Sequence, residues 1–119
     1  MKKLLFLSLA FALCTAQASI LSYSAVLSGP AESPPNGSPG TGSASVFYDN
    51  VAHTLDVEVV FSGLVAPTTA SHIHCCTTIP GVGTAGVATV TPSFTGFPLG
   101  VTAGTCPRTD AEMEVPQMH

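Results

Sequence analysis

Residues 54–64 read TLDVEVVFSGL, and this run decides the fold. Leu55, Val57, Val59 and Phe61 fall on every second position, with Thr54, Asp56 and Glu58 between them. A period of two is that of a strand, whose successive side chains point to opposite faces of a sheet. One face of this strand is therefore apolar and the other solvated. A register slip of one residue would expose all four apolar groups at once, so the pairing is strongly specified. Asp56 and Glu58 read as the wet side of a half-buried sheet rather than as a catalytic pair.

Just upstream, SASVFYD (residues 43–49) puts Ala44, Val46 and Tyr48 on one face, and NVAH (residues 50–53) is a turn. Two alternating runs joined by so short a link make a hairpin. Further back, SYSAVL (residues 22–27) sets Tyr23, Ala25 and Leu27 against Ser22 and Ser24. Between them, SGPAESPPNGSPGTG (residues 28–42) holds four prolines and four glycines. It can carry neither a ladder nor a helix and reads as a long turn-rich loop, with Asn36-Gly37 as a turn.

Downstream, Pro67 blocks a helix, and residues 69–75 are rich enough in Thr and Ile to read as a strand. One more short strand is expected around residues 87–91, and residues 95–105 are loop or edge strand. No helix is expected after residue 18. Short strands divided by Gly and Pro turns imply an all-β chain folded as an antiparallel sandwich or Greek-key barrel.

The chain opens MKKLLFLSLAFALCTAQASI. Lys2 and Lys3, an apolar stretch over residues 4–14 and Ala16-Gln17-Ala18 have the three parts of a secretory signal peptide, residues 1–18. The apolar stretch is shorter than the roughly 20 residues a spanning helix needs. An acylated Cys14 is the other alternative, and bulky Leu13 opposes it. The chain is therefore expected to be secreted or periplasmic. Cleavage leaves Arg108 as the only Lys or Arg against seven carboxylates. Nucleic acid and anionic membrane surfaces are bound through cations, so neither is an expected partner. Export also permits disulfides among Cys75, Cys76 and Cys106. Adjacent Cα atoms on a trans peptide are ~3.8 Å apart, below the usual disulfide range. The expected bridge is Cys75–Cys106 or Cys76–Cys106, with one thiol left over.

The last stretch, CPRTDAEMEVPQMH (residues 106–119), breaks the pattern with one Arg, three carboxylates and no alternation. It reads as an atypical, disordered tail after a β domain of residues 19–105.

The chemistry-bearing stretch is TTASHIHCCTT, residues 68–78. In a strand His72 and His74 share a face, with Cα atoms ~6.5–7 Å apart. Two imidazoles so placed can grip copper or zinc, and Cys76 joins them if the strand continues. Ile73 and Cys75 face the other way. Against this, zinc needs three or four ligands. His53 lies in a turn, His119 is terminal, and no carboxylate is close in sequence to orient either imidazole. A blue-copper site would need an axial Met, and Met113 and Met118 stand only in the tail. The other reading is a pair of histidines packed or hydrogen-bonded at a sheet edge. Catalytic residues are not expected. Cys75 faces away from His74, and C-x-x-C, G-x-S-x-G and phosphate-binding glycine patterns do not occur.

Four blocks in order carry a family resemblance: YSAVLSGPAESPP (residues 23–35), GTGSASVFYD (40–49), TLDVEVVFSGLVAPTTASHIH (54–74) and GFPLGVTAGT (96–105). They resemble the CHRD domain, first described in chordin and widespread in exported microbial proteins, and HIHCCT is similar to a bacterial form. The resemblance implies an immunoglobulin-like or Greek-key β-barrel. It also implies an exported, non-enzymatic binding or structural module, since chordin-type members sit in extracellular proteins that bind growth factors. The alternative is an exported copper- or zinc-binding protein using His72 and His74. A third reading, a dismutase-like enzyme, rests on the resemblance of the His-x-His to the copper-binding strand of copper–zinc superoxide dismutases, and only these two histidines match. Relatives continue past the GVTAGT-like segment into further strands with a Gly-Gly-Glu-Ile-Arg-Gly-like ending, whereas residues 106–119 look like a truncated or frame-shifted end. An incomplete barrel leaves a sheet edge open, which implies an unknown protein partner or self-association through that edge.

Overall fold

The computed structural model describes residue 17 and residues 19–113. The leader-like residues 1–18, Gln17 apart, lie outside this part, as do residues 114–119.

Four strands form one antiparallel sheet in chain order: β1 (Ile20–Ser28), β2 (Thr41–Asp49), β3 (Thr54–Ser62) and β4 (Gly104–Asp110). The hairpin is as expected, with Val46 opposite Val57 and Tyr48 opposite Leu55. Asp49 closes its turn, accepting N–H bonds from Val51 and Ala52 at 2.8 Å each. Gly63, at a φ of 73° that a side chain would resist, turns the chain out of β3.

β3 carries the core. Leu55, Val57, Val59 and Phe61 are all buried, while Thr54, Glu58, Val60 and Ser62 on the other face are exposed. Each such burial is worth about 1.5–3 kcal/mol, so this face alone is a large share of the fold's stability. Ala44, Val46 and Tyr48 of β2 and Leu27 of β1 pack beside it. The far end of β1 is left open: Leu21 and Tyr23 are 42% and 58% exposed although they lie on the core side.

Residues 64–103 cross this inner face as a second layer that forms no continuous strand. They add Phe94 to the buried core and pack Leu64, Ile73, Val90, Phe97 and Val101 against it. The architecture is all-β, an open four-stranded antiparallel sheet under a partial cover, and so an incomplete sandwich.

Three expectations change. Residues 69–75 and 87–91 are expected as strands from composition. They make only single bridges, Ser71 with Ser93, His74 with Val87 and Thr89 with Met113. The chain between 79 and 86 is glycine-punctuated, with Gly81 and Gly83 at positive φ, so the two segments never run alongside one another for long. The irregular tail expected from residue 106 is, up to Asp110, part of β4. Alternation fails there because Pro107 and Arg108 both stand opposite Glu58, an extra residue that makes a β-bulge. Pro lacks an N–H and is confined to bulges and edges, which is where Pro107 lies. Ala111 follows, fully buried and bonded to Leu55 O at 2.7 Å. Finally, the long loop holds one 3₁₀ turn, Gly29–Ala31, although no helix is expected.

Candidate functional site

A cleft of about 460 Å³ runs between the inner face of the sheet and the covering layer. Its floor is Ala44, Val46, Val57, Val59 and Phe61. Its far wall is aromatic: Phe97 stacks on Phe61 with centroids 5.4 Å apart, and Phe94 meets Phe97 edge to face at 5.6 Å. The near wall is the loop after β1. There the Asn36 N–H donates to Gly29 O at 2.9 Å and the Ser38 N–H to Asn36 Oδ1 at 2.9 Å. A side chain at Gly29 would collide with Asn36, so glycine lets the loop close on itself.

Hydroxyl groups hold the cover in place where a ladder is missing. The Ile73 N–H donates to Oγ1 of Thr89, which is fully buried, at 2.9 Å. Ser71 and Ser93 share a hydroxyl bond of 2.7 Å, and Thr68 Oγ1 donates to Pro98 O at 2.8 Å. Buried backbone groups need such partners, and here side chains supply them.

His72 and His74 keep the alternation of the expected strand although the ladder is absent. Both are exposed, with Ser71, Ile73 and Cys75 half-buried between and beside them. Their rings lie 4.8 Å apart, edge to face, so the common side inferred from spacing is real. His72 lines the apolar cleft. His74 lines a neighbouring hollow of about 580 Å³ with Cys75, Cys76 and Thr77. His74 Nδ1 is 2.7 Å from Ala85 O. A carbonyl only accepts, so Nδ1 donates this bond, and in the neutral ring that leaves the lone pair on Nε2. The orienting group that no nearby carboxylate offers is thus a backbone carbonyl eleven residues on. Among the described residues, no group of three or more His, Cys, Asp and Glu side chains is placed to hold a metal ion. His53 stands apart in the hairpin turn at a φ of 55°, its Nδ1 3.3 Å from the Tyr48 hydroxyl. Of the methionines considered as ligands, Met113 packs against the core, and Met118 lies outside the described residues, as does His119.

The expected long-range disulfide is corrected. Cys75 pairs with Cys76, and Cys106 is a free, fully buried thiol. Cys106 sits on β4 opposite Val59 as a core residue, whereas the adjacent pair lies on the covering layer.

Phe94 and Phe97, the cleft's wall, are missed by alternation because they stand three apart in a loop. The signal that finds them is PSFTGFP, two aromatics in a stretch otherwise made of turn residues.

A single antiparallel sheet with an apolar cleft along its covered face defines a small all-β domain. The model of the CHRD domain matches residues 23–113, and the chain belongs to that family. The match runs through β4 to Met113, past the point where the quoted blocks of resemblance end. The family is one of β domains with a binding or structural role, found in extracellular or exported proteins. No curated protein and no solved structure matches the chain.

Proposed function

We propose that this chain is an exported, non-enzymatic CHRD domain that binds an uncharged, apolar segment of another extracellular protein in the cleft between its sheet and its cover. The single observation behind this reading is the cleft itself. It has the size and the mostly apolar lining of a binding site, with polar groups, Glu32, Asn36, Ser71 and His72 among them, in that lining. Among the described residues the free thiol, Cys106, is buried on β4 and takes no part in the cleft lining. Export rests on the leader-like residues 1–18, whose removal would leave Ser19 as the first residue.

Panning a displayed peptide library against the exported protein tests the reading. Enriched peptides should be aliphatic and aromatic, and Ala44→Leu, which fills the cleft floor, should weaken them about tenfold, or 1.4 kcal/mol. Charged peptides, or affinity indifferent to Ala44→Leu, would contradict it.

A second reading, copper or zinc held by His72 and His74, is favoured by the carbonyl that fixes the His74 tautomer, the usual arrangement for a metal-ligating histidine. Elemental analysis of the exported protein should then find metal that a His72→Ala, His74→Ala double variant loses. No metal, and no change in melting with added copper or zinc, removes this reading.

A further inference from the structure

The two edges of the sheet are built differently, and the difference names a partner. The β4 edge carries Pro107, Arg108, Asp110 and a bulge. These are devices that keep an edge from pairing with another chain. The β1 edge has none of them. Its sequence, ILSYSAVLS, contains no charge and no proline, and its register with β2 runs unbroken for all nine residues. Ile20, Tyr23 and Val26 are 56%, 58% and 79% exposed.

The hydrogen-bond parity of β1 is fixed by its neighbours. The Asn50 N–H donates to Ser19 O, which continues the register that sets Ile20 opposite Asp49. In an antiparallel pair, opposed residues alternate between bonded and non-bonded, so the odd residues of β1 bond to β2. The bond from Ala111 N–H to Leu55 O, carried back through the registers of β3 and β2, gives the same parity. The N–H and C=O groups of Ile20, Ser22, Ser24, Val26 and Ser28 therefore point outward along the open edge.

We infer that β1 pairs with β1 of a second copy, antiparallel about a two-fold axis at Ser24, to make a continuous eight-stranded sheet. This register sets Ser24 opposite Ser24, Ser22 opposite Val26 and Ile20 opposite Ser28, so every outward backbone group finds a partner. Shifting it by one or more residues leaves some of them unpaired. The same register lays Leu21 against Leu27 and Tyr23 against Ala25 on the inner face, which covers apolar surface that the second layer does not reach. No like charges meet across the seam, because the strand has none. A two-fold contact of one patch with itself closes at a dimer.

Sedimentation velocity of the protein recovered from an exporting host tests this. The wild type should be dimeric, with a monomer growing in on dilution. Ser24→Lys sets two like charges on the axis and should abolish the dimer peak with no fall in melting temperature measured at monomer concentrations. Ser24→Pro should do the same, since the lost N–H faces outward and an edge strand accepts proline there. Ser24→Cys should give a covalent dimer on mild oxidation, because paired Cα atoms there would be ~5.5 Å apart, within disulfide reach. Val26→Cys should give far less. A wild type that stays monomeric, a dimer that survives both Ser24→Lys and Ser24→Pro, or a dimer that Ser24→Cys cannot cross-link would overturn the inference. Peptide binding in the cleft would stand in any of these cases, so the two proposals fail separately.

Discussion

The β2–β3 hairpin and the covering layer, residues 64–103, both bury apolar side chains against the same core, but they satisfy their backbones in different ways. The hairpin does it with an unbroken ladder, Thr41 opposite Ser62 through to Asp49 opposite Thr54. The cover does it with scattered bonds, among them Ser71 N–H to Pro92 O, Ala88 N–H to Ile73 O and Val90 N–H to Glu112 O, together with hydroxyls from Thr68, Ser71 and Thr89. A ladder is periodic and leaves a period in the sequence. Scattered bonds need only the right polar group at each point, and the alternation that survives over residues 71–75 has no continuous ladder behind it.

The largest effects should come from each region's central aromatic. Phe61→Ala, under the sheet, is expected to cost about 3–5 kcal/mol, typical of a buried Phe. Phe94→Ala, in the cover, should cost nearly as much, because Phe94 is only 4% exposed. Urea denaturation checks both, and a loss of less than about 1 kcal/mol at Phe94, within the ordinary range for a surface change, would mark the cover as a flap rather than core. Next in size is Thr89→Val. It strands the Ile73 N–H without an acceptor and should cost about 1–3 kcal/mol. The hairpin has no equivalent weak point, since its donors are paired by backbone.

Smaller is Arg108→Ala at the edge of the sheet. Its guanidinium donates to Asp56 at 2.9 Å and lies 4.0 Å from the Phe47 ring centroid, but Arg108 is exposed and Asp56 is only half-buried. The expected loss is about 1 kcal/mol or less, shrinking in high salt.

The smallest effect is in acid. The backbone N–H groups of Ala52 and Val51 hold the Asp49 carboxyl below its ordinary 3.8. The Thr95 side chain, then backbone N–H groups, hold Glu112 below its ordinary 4.5. Both acids are ionised more readily in the folded chain. Their contributions are present in full above those ordinary values and vanish as pH falls through the lowered ones. Melting temperature should therefore drop on acidification below about pH 4.5, the Glu112 reference. Asp49→Asn should flatten the part belonging to the hairpin turn, and Glu112→Gln the part belonging to the cover.

The contrast also explains what the sequence made legible. Leu55, Val57, Val59 and Phe61 announce their face because β3 is wet on one side and dry on the other. β4 hides behind Pro107 and the bulge, and its Cys106 is in the core with no alternating neighbours to say so. His72 and His74 could be set on one side from their spacing alone, since that is local geometry. The Ala85 carbonyl behind His74 arrives from a separate loop, as do Phe94 and Phe97 in the cleft wall, and only the folded chain brings them in.

Amide hydrogen exchange resolved by residue tests most directly the claim that a laddered sheet is roofed by an unladdered layer. Protection should be continuous through residues 55–61. Within residues 64–103 it should fall on separated amides, Ser71, Ile73, Ala88 and Val90 among them, with fast exchange at their neighbours. Unbroken protection across residues 69–75, or none through 55–61, would contradict it.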